Sequence, residues 1–198
     1  MKLLIFSDIH EDWRALEKLM AQEADYYVAA GDLANWGRGL EKAGAILQPH
    51  AGRVWVLPGN HESDLEIQQF CSQYGFRDLH SQSLELAGQR IAGLGYSNPT
   101  PFNTPGEYSE AELANRLALF AALSPPLILI CHCPPKNTAL DRAGANQHFG
   151  STAIRDFIEQ HQPAYFFCGH IHEAAGAHVM LGKTQCWNVG KKGHLLET

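Results

Sequence analysis

Five short apolar runs punctuate the chain, and each stops at a polar cluster. Residues 2–6, 26–30, 54–57, 127–130 and 165–168 have strand length and little alternation, as strands buried on both faces do. Segments of helical period separate the first three. Asp12 stands where it can cap a helix whose Trp13, Leu16, Leu19 and Met20 share one face; further helices are expected at 40–47 and 63–74. Strand, loop and helix alternate here, which predicts parallel strands joined by helical crossovers.

The rhythm then changes. Residues 83–86 and 90–94, joined by Ala87-Gly88-Gln89, read as a hairpin, and 98–106 is a Pro- and Gly-rich loop. Ser109 opens a helix expected to run through residue 123, with Glu112 at the capping-box position. Residues 136–150 form a long irregular loop, a kind more often functional than filler. A helix at 151–160 and two late strands, 178–181 and 184–189, complete the pattern. With no internal repeat or linker, the expectation is one domain over 1–198: a mixed sheet, or two sheets packed face to face with helices outside.

Composition narrows the function classes. The chain has 198 residues, 45% hydrophobic, enough for a single core. A net charge of -6 gives no electrostatic footprint for non-specific nucleic-acid binding. The N-terminal apolar run is too short for a signal peptide, and no window approaches the roughly 20 apolar residues of a membrane span. No membrane partner and a cytoplasmic location are therefore expected. Five irregularly spaced cysteines argue against a disulfide framework and fit a reducing compartment. Cys131-His132-Cys133 is not read as a thiolate metal site, because alternation at a strand end aims both thiols away from the histidine.

The chemistry sits where the strands end: Asp8 and His10, Asp32, Asn60 and His61, His132, then His170 and His172. Taken singly, each has a plain explanation as a cap, a turn residue or a core histidine. Five such endings in one chain do not. Open parallel sheets bind ligands beyond the carboxyl ends of their strands. Carboxylate, imidazole and amide oxygen together suit Mn, Fe, Mg or Zn in open sites, and a carboxylate such as Asp32 can span two ions.

The order Asp8-x-His10, Gly31-Asp32, Gly59-Asn60-His61-Glu62, His132 and Gly169-His170-x-His172 resembles the calcineurin-like metallophosphoesterase superfamily. The compact length resembles its small bacterial and archaeal phosphodiesterases. The resemblance implies an α/β fold, an αββα four-layer sandwich of two mixed sheets, and two divalent metal ions. Manganese is the metal expected, with Fe, Zn, Mg, Ni or Co as alternatives. Asp8, His10 and His172 would hold one ion, Asn60, His132 and His170 the other, and Asp32 would bridge. The implied reaction is hydrolysis of a small phosphoester, a nucleotide among the candidates, by a bridging hydroxide. His61 would be the proton donor, to the leaving oxygen or to the phosphoryl group.

Phosphatase branches carry an Asp three residues after the bridging Asp; here Asn35 stands there, and it is read either as accepting a hydrogen bond from His61 or as only shaping the loop from Gly31 to Gly39. Gly59 is read as supplying a tight turn and Glu62 as starting the following helix. Asp141, Arg142 and His148 are the residues of the 136–150 loop that would reach over the site, against the plainer reading of a solvated loop. A non-catalytic metal-binding scaffold of the same fold is the alternative to an enzyme. A nuclease is the other; the acidic charge and the lack of a basic–aromatic groove stand against it. The sequence leaves substrate, ester class and oligomeric state open.

Overall fold

The computed structural model describes residues 1–123 and 125–198. Its strands are β1 (Lys2–Phe6), β2 (Tyr26–Ala30), β3 (Val54–Leu57), β4 (Arg77–Asp78), β5 (Gln82–Leu86), β6 (Gln89–Leu94), β7 (Leu127–Cys131), β8 (Arg142–Ala143), β9 (Gln147–His148), β10 (Tyr165–Cys168), β11 (His178–Leu181), β12 (Thr184–Asn188) and β13 (His194–Glu197). The helices are α1 (Trp13–Met20), α2 (Leu40–Leu47), α3 (Asp64–Tyr74), α4 (Glu110–Ala118) and α5 (Thr152–His161).

Two sheets, ordered β13-β1-β2-β3-β4 and β11-β12-β10-β7-β6-β5, face each other. Strands β1, β2 and β3 are parallel, as are β6, β7, β10 and β12. The period-2 alternation divides their apolar residues between two layers. Leu3, Ile5, Val28, Ala30 and Leu57 meet Ile128, Ile130 and Phe167 between the sheets. Leu4, Phe6, Ala29 and Val56 turn outward onto α1, α2 and α3; Leu129, Cys131, Phe166 and Cys168 turn outward onto α4 and α5. The result is the αββα sandwich, and burial on both faces is why the central strands are continuous apolar runs.

The cap expected at Asp12 forms, and two further caps accompany it. Asp12 Oδ1 accepts from the Ala15 amide, Ser63 and Glu66 make a capping box, and Ser151 Oγ accepts from the Ile154 amide. The helix expected to run to residue 123 ends at Ala118. Beyond it the amides of Leu119, Phe120 and Ala121 bond three residues back, to Arg116, Leu117 and Ala118, a tightened path that keeps Phe120 in the core. Half of its expected capping box is present: Ser109 Oγ accepts from the Glu112 amide, while the Glu112 carboxylate pairs with Arg116 Nε at 2.8 Å. Four strands were not expected. β8 and β9 pair antiparallel within the 136–150 stretch read as irregular. β4 is two residues long, and β13 runs antiparallel to β1 at the first sheet's edge, so the chain closes on three late strands rather than two. All five cysteines are free and buried. Among the described residues, no helix is long and apolar enough to cross a membrane.

One buried histidine lies behind the site and outside it. His80 Nδ1 accepts from the Gly95 amide at 2.9 Å and Nε2 lies 3.1 Å from Tyr108 Oη, so the ring is held neutral, with its hydrogen on Nε2. Burial lowers its pKa from 6.5 to about 4. The stability carried by the neutral ring is complete above pH 6.5 and is lost as the pH falls towards 4. Replacing the ring should flatten that slope. In urea titrations, the stability gap between wild type and His80→Phe should narrow from pH 7 to pH 4 by roughly 3 kcal/mol; a gap constant with pH would show that His80 is not held neutral.

Candidate metal centre

Five parallel strands bring their carboxyl ends to one edge of the sandwich, and there the backbone takes unusual shapes. Asp8, His10, Asp32 and His170 all have positive φ, between 44° and 69°. Left-handed backbone is costly for residues with a Cβ and clusters at functional sites. Backbone bonds hold it in place: the Asp8 amide donates to Gly31 O at 3.1 Å and the His10 amide to Asp32 O at 3.0 Å. The His170 amide donates across the two sheets to Asp8 Oδ1 at 2.9 Å.

Side chains fix the rest. His132 is fully buried, and its Nδ1 lies 2.9 Å from the Ala30 carbonyl, which only accepts; the hydrogen is therefore on Nδ1. Its Nε2 then faces Asn60 Oδ1 at 3.2 Å and Asp32 Oδ2 at 3.4 Å. Asn60 is oriented from behind. Its Nδ2 donates to Thr104 Oγ1 at 3.1 Å, which donates to Glu107, leaving Oδ1 toward the site and 2.9 Å from His170 Nδ1.

His10 is set the same way, and here the sequence reading is corrected. Asn35 does not take His61. Its Nδ2 donates to Glu11 Oε1 at 3.1 Å, and its Oδ1 therefore accepts from His10 Nδ1 at 2.8 Å. His10 Nε2 is left facing Asp32 Oδ2 at 3.4 Å and His172 Nε2 at 3.0 Å. His61 sits beside this group. Its amide donates to Asp32 Oδ1 at 3.0 Å, its ring lies edge-on to His10 and Trp36 at 4.9 and 5.6 Å, and its buried Nδ1 has no partner.

This donor set fits cations. Lone pairs of imidazole, carboxylate and amide oxygen converge with too few hydrogens to share among them. Asp8, His10 and His172 form one cluster with ligand atoms within 4.8 Å of one another; Asp32, His132 and His170 form another. Electrostatics agree. Burial opposes the charge on Asp32, yet His132 and His10 hold its carboxyl well below the usual range. Burial opposes a charged His132, yet Asp32 lifts its ring to about 9. Burial and the neighbouring His132 hold His170 down to about 3. Protons and metal ions compete for such sites. The thiols of Cys131 and Cys133 lie in the core under α4 and α5, away from the cluster, as expected.

Glu62 was misassigned from the sequence. It is fully buried and lies outside the helix that Ser63 caps. Its carboxylate accepts from the amides of Asp32 at 3.0 Å, Gly59 at 2.9 Å and Ala34 at 3.0 Å, tying the exit of β2 to that of β3. Burial and the charge of Asp32 raise its pKa to about 7, against the pull of the Ala34 and Gly59 amides. Gly59 is also needed for a different reason than expected. It has no positive φ; a Cβ there would land on Asp32 Oδ1 and the Asp32 amide. The capping box Ser63-x-x-Glu66 was the signal that places Glu62 before the helix. Thr104, Glu107 and Glu11 left no comparable signal.

The cluster forms the floor of a cleft of about 500 Å³. Much of the remaining lining comes from the 98–106 loop, with Pro99, Pro101 and Phe102, and from the 136–150 loop, with Lys136, His148 and Phe149. Of the three loop residues singled out, His148 lines the cleft. Asp141 is buried beneath it, and Arg142 is exposed and is not among the lining residues.

Two outcomes follow from these supports. Glu62→Ala leaves three backbone amides without their acceptor and should cost about 3 kcal/mol or more in urea unfolding; a loss below 1 kcal/mol would mean that water replaces the carboxylate. Asn35→Ala frees the His10 ring and should weaken metal binding about 10- to 100-fold by calorimetry, whereas Asn35→Asp, which keeps the acceptor, should weaken it far less. Equal affinities for both variants would remove Asn35 from the support of His10.

Comparison with known proteins agrees with the geometry. The family model described as calcineurin-like phosphoesterase matches residues 1–174. An uncharacterized protein of Methanocaldococcus jannaschii is 31% identical over 180 residues, covering 88% of this chain and 81% of that protein. A crystal structure from Thermus thermophilus superposes with a TM-score of 0.73 at 20% identity, covering 99% of this chain and 98% of that one. The phosphopantetheinyl hydrolase of Mycobacterium tuberculosis does so with a TM-score of 0.70 at 15% identity, covering 96% and 88%. The solved structures share the fold, and the match over residues 1–174 shows that this chain belongs to the calcineurin-like phosphoesterase family of metal-dependent phosphoester hydrolases.

Proposed function

We propose that the chain hydrolyses small phosphoesters, phosphodiesters in particular, at a dinuclear centre. One ion is assigned to Asp8, His10 and His172 and the other to Asn60, His132 and His170, with Asp32 shared. The observation that carries this reading is the position of Asp32 Oδ2, 3.4 Å from both His10 Nε2 and His132 Nε2. Two ligand groups meet at one carboxylate oxygen. Bound there, two divalent cations, manganese being the pair expected, would supply the charge that holds phosphoryl oxygens and acidifies an attacking water.

The protein's own groups do the remainder. Its carboxylates and oriented imidazoles are fixed before substrate arrives, so little reorganisation is needed during reaction. His61 is assigned to the substrate rather than to metal. Packing against Trp36 and His10 sets its plane, and as proton donor it serves the ester from the floor of the cleft. The cleft volume of about 500 Å³ suits a small organic ester, and its prolines and phenylalanines favour one with an apolar portion. A nucleotide meets that description. A nuclease is less well supported, since Lys136 is the one lysine or arginine among the lining residues.

Removing metal with a chelator should abolish turnover of bis-p-nitrophenyl phosphate, and Mn²⁺ should restore it. His61→Ala should retain its metal by elemental analysis while kcat falls about 100-fold or more. Recovery of the variant free of metal would make His61 a ligand and overturn its assignment to the substrate.

A further inference from the structure

The 136–150 loop carries a second device that the metal shell does not use. Asp141 is completely buried and every bond it makes is to its own loop. Oδ2 accepts from the amides of Asn137 at 3.1 Å and Gly150 at 3.0 Å, and Oδ1 from the Thr138 amide at 2.8 Å. Oδ1 also lies 2.7 Å from His148 Nδ1. A carboxylate whose oxygens already take three amide hydrogens accepts from the ring too, so Nδ1 carries the hydrogen and proton exchange is confined to Nε2. His148 Nε2 has no partner among the described residues, and the ring lines the same cleft as His10, Asp32, Asn60, His61, His170 and His172. A buried carboxylate holding an imidazole at the edge of a cleft is the arrangement that makes a histidine a directional proton carrier.

The direction of the chemistry decides what such a group meets. On the reading proposed above, the phosphoryl group is seated on the floor. In-line displacement sends the leaving oxygen to the side away from the attacking water, into the remainder of the cleft, which the two loops line. We propose that His148, positioned by Asp141, is the catalytic acid for the leaving group, which confines His61 to the phosphoryl oxygens. The water oxygen forms a bond to phosphorus and its proton passes to solvent. The bond from phosphorus to the leaving oxygen breaks; that oxygen keeps the electron pair and takes the proton from His148 Nε2. The ring is left neutral, its Nδ1 hydrogen still on Asp141, and regains a proton from solvent. The esters served are those whose leaving groups depart poorly without a proton, alkoxides and unsubstituted phenoxides.

The test uses the Mn-loaded protein and methyl aryl phosphates whose leaving phenols run from 4-nitrophenol to phenol. His148→Gln should lose under about 3-fold in kcat with the first and about 100-fold with the last, with KM, metal content and melting temperature little changed. His61→Ala should lose equally along the series. A His148→Gln loss that is flat along the series, or absent, overturns the role of His148 while leaving the phosphoesterase reading intact. Failure of the wild-type protein to turn over any member would overturn that reading instead. Asp141→Asn is the weaker variant, because three loop amides depend on the same carboxylate.

Discussion

The hydrogen bond from His132 Nδ1 to the Ala30 carbonyl joins the end of β7 to the end of β2. With the bond from the His170 amide to Asp8, it fastens the two sheets at the edge where the polar cluster lies. A carbonyl admits one role for the ring, so one bond fixes both the spacing of the sheets and the tautomer of a histidine. Everything at the floor inherits that choice. His132 Nε2 must face oxygen atoms, an arrangement that a proton or a cation between them favours. The sandwich therefore has a polar seam along one edge of an apolar interior, and the seam is where function is possible.

The surrounding groups repeat the same device with different parts. Glu11 turns Asn35, and Asn35 turns His10. Glu107 turns Thr104, and Thr104 turns Asn60. Each chain starts at a carboxylate and ends by presenting a lone pair inward. Glu62 differs, because it holds backbone rather than side chains. Ligand direction and loop position are thus supported by separate residues, and the centre does not rest on any single contact outside it.

How much of this was legible follows from length scale. The seven assigned ligands and His61 stand directly after buried strands, and the contrast between an apolar run and a polar ending is visible in a single sequence. The same runs left one mixed sheet or two packed sheets open, and the family resemblance implied the four-layer arrangement. β4, β8 and β9 escaped because two residues carry no period, and β13 because its burial depends on β1, nearly the whole chain away. The pairing of Asn35 with His10 rather than His61 is a matter of which way one loop turns by a few ångströms. Thr104 and Glu107 lie in a Pro- and Gly-rich loop whose sequence looks the same whether or not it supports a metal ligand.

The left-handed backbone at Asp8, His10, Asp32 and His170 has a consequence for how these positions can be studied or altered. A replacement there changes two things at once, the atom proposed as a ligand and the cost of holding the chain in its turn. Valine or isoleucine resists that conformation most, alanine less, and glycine or asparagine tolerates it. Loss of function in a β-branched variant would therefore report on the shape of the chain as much as on the metal. Glycine and asparagine variants keep the path and remove or weaken the ligand, and they are the ones that read the chemistry alone. The same constraint limits which ligand sets the scaffold can exchange into, whatever metal is offered.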